Sequence, residues 1–147
     1  MPRLNYTTSI EAGKTASEVV GILASHGARQ IMMDYDEVGK IIGISFTVNT
    51  PHGVLPFRLP ANDSAVLEVM KRQNKNGGIP GRFVNPDQAR RVAWRIIKDW
   101  VEAQMALIET GMVVMEEIFM PYMMVGPQKT LFQLLEEKRF ALPPGNR

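Results

Sequence analysis

Alternation of apolar and polar residues predicts four strands in the first sixty positions. The clearest is Lys40 to Asn49, where Ile42, Ile44, Phe46 and Val48 recur with a period of two and therefore face one way. Pro56 lies in the strand that comes next and cannot donate a ladder hydrogen bond, so we expect that strand to be an edge strand or to carry a bulge. The predicted strands span 4–10, 29–35, 40–49 and 54–59.

Apolar residues spaced three and four apart predict helices elsewhere in the chain. The first is expected to begin at a capping box from Thr15 to Glu18 and to end at Gly27. Asn62 to Ser64 offers N-caps for a second helix that runs to about Arg72, followed by a glycine-rich loop over 73–84.

The strongest helix start is Asn85-Pro-Asp-Gln88, which joins an N-cap, a proline at the first helical position and an acidic first turn. This helix is expected to reach Glu109 or Thr110. Beyond it, Pro121 interrupts an apolar stretch, and a capping box at Thr130 opens a short helix to about Phe140.

Strands clustered early and helices clustered late indicate an α+β fold. We expect an N-terminal β-α-β-β-β antiparallel sheet followed by a helix, a long core helix and short C-terminal helices. With 147 residues, the chain is predicted to form one domain over 1–142, with a flexible tail over 143–147.

Composition narrows the classes of protein to which this chain could belong. Hydrophobic residues make up 45% of the chain and charged residues 22%, which is an ordinary globular balance. There is no cysteine, which excludes disulfides and cysteine nucleophiles. No signal peptide or spanning apolar run is visible in the sequence, so we expect a cytoplasmic protein that does not enter membranes.

Charge is distributed unevenly along the chain. The net charge of +2 conceals a segment, 71–98, that holds eight basic residues and one acidic residue, Asp87. The rest of the chain is net negative. A flexible basic loop, an aromatic side chain and a helix start with free N–H groups together favour phosphate contacts. The predicted nucleic-acid or anion contacts are Lys71, Arg72, Lys75, Arg82, Phe83, Arg90, Arg91, Arg95 and Lys98.

Other interpretations of this segment stay open. The same residues are compatible with a solvated helix face that carries ordinary ion pairs, such as Arg95 with Asp99 and Lys98 with Glu102. They are also compatible with an acidic protein partner. Trp100 is predicted to lie in the core, whereas Trp94 lies near the edge of the apolar stripe, where packing under the last helices is favoured and a partner contact is the alternative.

Catalytic patterns are weak in this sequence. His26 and His52 lie in turn contexts without metal-ligand spacing, and no nucleotide-binding or serine-hydrolase motif occurs. Asp34 and Asp36 are two residues apart and are the minimal pair for a divalent-metal enzyme. We therefore predict a protein without enzymatic activity or cofactor, and keep the metal-dependent enzyme as an alternative.

Three stretches carry a resemblance to other proteins: 31–36 (IMMDYD), 57–62 (FRLPAN) and 91–104 (RVAWRIIKDWVEAQ). They resemble a group of small, largely uncharacterised bacteriophage and prophage proteins, over most of the chain from Arg3 to Phe140. The resemblance implies a bacterial host cell and a role in replication, recombination or defeat of host defence. A nucleic-acid-binding accessory protein is the favoured interpretation, with an anti-CRISPR-like or nucleotide-sequestering inhibitor as its alternative. A methionine-rich C-terminal region further suggests a homo-oligomer.

Overall fold

Three antiparallel strands form the main sheet in the computed structural model, which describes residues 6–141. They are β1 (Ala28–Tyr35), β2 (Ile41–Thr50) and β3 (Gly53–Pro60), in the order β1-β2-β3. Ile44, Phe46 and Val48 of β2 point into the core, as their alternation predicts. The prediction is wrong for Ile42, because a register shift opposite Tyr35 makes Ile41 the buried residue at the start of the strand. Pro56 lies on the edge strand β3, where its missing N–H costs no ladder hydrogen bond, so the predicted edge position is confirmed.

A bulge in β1 sets which of its side chains face the core. The register shifts by one residue between Arg29 and Met32, and Gln30 has a positive φ of 43°. Beyond the shift, Met33 pairs with Ile44 and Asp34 pairs with Gly43. Asp34 therefore lies on the outer face of the sheet, away from the core.

The first helix begins earlier than the sequence suggests. Helix α1 covers Ala12–Ser25, and Thr15, predicted as its cap, is a buried residue inside it whose hydroxyl donates to the carbonyl of Glu11. Glu18 does not cap the helix either, because its carboxylate contacts Lys98. The end of the helix is as expected, since Gly27 follows it with a φ of 105°.

The strand predicted over residues 4–10 is wrong for its described part. Residues 6–10 form a turn and irregular chain. The amide nitrogen of Gln88 donates to the carbonyls of Tyr6 and Thr8, at 2.6 and 2.9 Å. These side-chain bonds take the place of a sheet ladder, so the described chain order opens α-β-β-β rather than β-α-β-β-β.

Two apolar clusters lie on either side of the long helix α3 (Pro86–Glu109). The larger joins α1, the inner face of the sheet and one side of α3. The smaller joins α3 to helix α2 (Asp63–Lys75) and the loop after it, around Met70 and Ile79. Trp94, the candidate partner contact, is fully buried in the larger cluster, whereas Trp100 is only partly buried.

The C-terminal third is broken into short elements, as predicted. Helix α4 (Met115–Ile118) is followed by a 3₁₀ turn that contains Pro121, then by a small hairpin of β4 (Met124–Gly126) and β5 (Lys129–Thr130). Helix α5 (Leu131–Glu137) starts with the predicted capping box at Thr130 but ends before Phe140. The predicted tail, 143–147, lies outside the described residues.

The architecture confirms an α+β fold, with the antiparallel sheet covered on one face by helices. Within residues 6–141, every helix is too short or too polar to cross a membrane.

Candidate nucleic-acid interface

Two cations of α3, Arg91 and Lys98, lie at the contact between α1 and α3, so the cations of this helix do not form one free basic face. The two helices run parallel, and three contacts join them at successive levels. Arg91 lies 3.4 Å from Glu11, Lys98 contacts Glu18, and Glu109 accepts from His26 Nε2 at 2.8 Å. We call these three contacts the interhelical ladder.

The ladder changes the acid–base properties of its members. The hydrogen bond from Lys98 lowers the pKa of Glu18, and the same bond raises the pKa of Lys98. The hydrogen bond to Glu109 raises the pKa of His26, and the bond to the Ile22 carbonyl acts in the same direction. Both ring nitrogens of His26 thus face acceptors, which favours the charged imidazolium.

The two remaining α3 cations also have carboxylate neighbours. Arg90 lies 3.3 Å from both Asp63 and Asp87, and its side chain is only 16% exposed. Arg95 lies 3.3 Å from Asp99, one helical turn away. All four predicted phosphate contacts on α3 are therefore engaged in ion pairs. For this helix, the arrangement matches the alternative interpretation of a solvated face that carries ordinary ion pairs.

The basic residues before α3 are arranged differently. Lys71, Arg72 and Lys75 lie on the last turns of α2, and Arg82 lies in the 3₁₀ turn Gly81–Phe83. The two segments are adjacent, because Gly81 lies against the side chain of Asn74. Lys71 has only an exposed contact of 3.6 Å with Glu68, and no described carboxylate pairs with Arg72, Lys75 or Arg82. We call these four residues the loop-side basic cluster.

Phe83 does not present an open ring beside this cluster. It is half buried in the smaller apolar cluster, and the ring of Tyr6 meets it edge-on with centroids 5.4 Å apart. The guanidinium of Arg82 lies 4.7 Å from the centre of the Phe83 ring. That face of the Phe83 ring is therefore occupied by a cation, which interacts favourably with the ring.

Asp34 and Asp36 have separate structural roles. Asp34 accepts a hydrogen bond of 2.7 Å from Ser45 on the outer sheet face. Asp36 lies in the turn after β1, where Oδ1 accepts from the backbone of Val38 and Lys40. Among residues 6–141, no three histidine, aspartate or glutamate side chains are grouped so that they could hold a metal ion.

Sequence reasoning missed two sets of residues. The acidic partners in the ladder, Glu11 and Glu18, could not be identified from the sequence, because contacts between two helices depend on the tertiary structure. Arg58 was missed although a signal existed: the turn at 51–53 sets the hairpin register that places Arg58 opposite Ser45.

Comparisons with known proteins give no match: no family model matches the chain, and no significant match is found among curated proteins or solved structures. The resemblance to bacteriophage proteins therefore stays a prediction.

Proposed function

We propose that this protein is a non-enzymatic accessory protein that binds nucleic acid, with the loop-side basic cluster as its contact surface. The observation that carries the proposal is the contrast between two sets of cations. Those on α3 are engaged by carboxylates, whereas Arg72, Lys75 and Arg82 are exposed and have no described carboxylate partner. Cations that are not neutralised within the protein can replace the counterions of a phosphate chain.

The geometry of the cluster favours single strands over duplex. The cluster is small and lies on a helix end and a short loop, and no helix among the described residues presents a long basic face to a groove. The guanidinium of Arg82 lies over the ring of Phe83, and an arginine beside an aromatic ring can contribute cation–π and stacking contacts to an unpaired base. Arg72 and Lys75 are three residues apart on α2 and so lie side by side, suited to adjacent phosphates.

The decisive experiment is fluorescence anisotropy with labelled single-stranded DNA, single-stranded RNA and duplex DNA at several salt concentrations. The triple variant Arg72→Glu, Lys75→Glu and Arg82→Glu is expected to abolish binding. The log–log slope against salt should be roughly 0.7 for each single-strand phosphate that the wild type neutralises. Because three charge reversals also change the net charge of the whole protein, the control is Lys14→Glu, Arg29→Glu and Lys138→Glu, which are exposed residues elsewhere.

The control variant is expected to keep most of the affinity. Equal loss in both triple variants would mean that only the net charge matters, and absence of binding by the wild type at low salt would overturn the proposal. An acidic protein partner, as an inhibitor of host defence would have, predicts a different result: purification from a bacterial host would recover a protein that survives nuclease treatment and is lost in the triple variant.

A further inference from the structure

A groove of about 440 Å³ lies between the outer face of the sheet and the β4–β5 hairpin. Ser45 and Arg58 line it from the sheet, and Met124, Pro127 and Gln128 line it from the hairpin. Its size is that of a site for a small molecule. It shares no residue with the loop-side basic cluster, so a ligand in this groove would bind independently of nucleic acid.

Two small residues of β2 lie at this groove or next to it on the outer face of the sheet. Ser45 faces it, and Gly43 lies beside Asp34. A Cβ atom at Gly43 would lie 2.9 Å from the carbonyl oxygen of Leu59 and 3.6 Å from Asp34 Oδ2. A larger residue would therefore displace the carboxylate or the backbone of β3.

An incompletely bonded charge pair lies in the groove. Asp34 Oδ2 accepts from Ser45 and lies 3.5 Å from Arg58 Nε, which is itself buried and donates no hydrogen bond. With respect to residues 6–141, Asp34 Oδ1 accepts no hydrogen bond and the terminal nitrogens of Arg58 donate none. The two side chains are 23% and 33% exposed, so each presents an unused polar end within a partly desolvated groove.

A second, more apolar groove of about 470 Å³ adjoins the first. Ser45 and Met124 line both, and Ile31, Met32 and Pro56 line the second. Arg58, Asp34 and this apolar groove thus lie next to one another on one face of the sheet.

We propose that these grooves bind a free α-amino acid with an apolar side chain. Its carboxylate would accept from the terminal nitrogens of Arg58, its ammonium would donate to Asp34 Oδ1, and its side chain would enter the groove beside Met124. Such a ligand matches the site because its ammonium group and its carboxylate group are attached to the same carbon atom. A simple anion would meet the Asp34 carboxylate, and a simple cation would meet Arg58.

The first test uses the native protein and isothermal titration with four compounds: L-leucine, N-acetyl-L-leucine, L-leucine methyl ester and glycine. L-leucine is expected to bind saturably. The two blocked derivatives each lose one charge, and we expect roughly tenfold weaker binding or worse for each, because hydrogen bonds to charged groups would be lost. Glycine should bind more weakly than leucine. No saturable binding of leucine, or equal binding of the blocked derivatives, overturns the proposal.

The second test assigns the site. Arg58→Gln is expected to abolish leucine binding, whereas Arg29→Gln, which changes an exposed arginine on β1, should leave it unchanged. Circular dichroism shows whether each variant is folded. Undiminished binding by a folded Arg58→Gln variant contradicts the assignment, and if that variant fails to fold, the compound series on the native protein decides.

Discussion

At the scale of single residues, two glycines differ in whether the structure has room for an added side chain. Gly43 lies in the central strand against the backbone of Leu59, so there is no room for a Cβ atom. Gly21 lies in the middle of α1, is exposed, and has nothing within 4 Å of the position where a Cβ would be. The same chemical change is therefore expected to have opposite effects at the two sites.

Gly43→Ala should lower the free energy of unfolding by about 1–3 kcal/mol, because the added methyl group must displace backbone atoms. Gly21→Ala should raise it by about 1 kcal/mol, since alanine favours a helix over glycine. Urea denaturation of both variants against the wild type measures the two effects. A neutral result at Gly43 would mean that the sheet yields easily at this point.

At the scale of elements, the interhelical ladder fixes how α1 lies along α3. Its contacts involve Glu11, Glu18 and His26 on the α1 side, spaced so that each meets the next level of α3. The ladder also pairs two cations of α3, Arg91 and Lys98, with carboxylates of α1 and its N-cap. His26 closes it at the C-terminal end of α1, where a positive charge also interacts favourably with the helix dipole.

The His26 contact makes stability depend on pH. Because the pKa of His26 is raised in the folded state, its contribution is fully present below the ordinary histidine pKa and is lost as pH rises through the folded-state pKa. Urea denaturation across this range should show the free energy of unfolding falling with rising pH.

Glu109→Gln is the matched variant, since it removes the charge that His26 faces. It should flatten this pH dependence, and nuclear magnetic resonance titration should show a lower pKa for His26. An unchanged His26 pKa in that variant would contradict the assigned cause.

At the scale of the whole molecule, the two apolar clusters are unequal. The larger holds sixteen buried residues from helices and sheet, whereas the smaller holds Met70, Ile79, Ala89 and Val92. Helix α2 contributes only Met70 as a fully buried side chain. The part of the protein that carries the loop-side basic cluster is thus held by fewer buried side chains than α1 and the sheet, which is typical of segments that open locally.

Hydrogen exchange followed by mass spectrometry should therefore show faster exchange in α2 and the loop over 76–84 than in β2. Met70→Ala should speed exchange in α2 and that loop and leave β2 close to the wild-type rate. Equal acceleration throughout would show that the two clusters unfold as one unit. An unchanged α2 would show that Met70 is not its anchor.

Local signals in the sequence determined much of the fold. The alternation of Ile44, Phe46 and Val48 in β2, the edge position of Pro56 and the Asn85 start of α3 are properties of short stretches, and each is found as predicted. Ile42 departs from the alternation, because a register shift at the start of β2 buries Ile41 instead. The strand predicted over residues 4–10 is wrong where it is described, because the side chain of Gln88, eighty or more residues away, donates hydrogen bonds to the carbonyls of Tyr6 and Thr8. Thr15 is not the cap of α1, because the helix begins at Ala12 and Thr15 is a buried residue inside it.

For the candidate sites, the sequence identified the basic segment but could not say which of its charges are neutralised within the protein. That depends on Glu11, Glu18 and Asp63, which reach α3 only through packing. The same holds for the sheet-face groove. A single extra residue at Gln30 turns Asp34 from the core face to the outer face, where it meets Ser45 and Arg58. Periodicity fixes which residues share a face only while the register is unbroken, and a bulge or a helix-to-helix contact is decided by the tertiary structure alone.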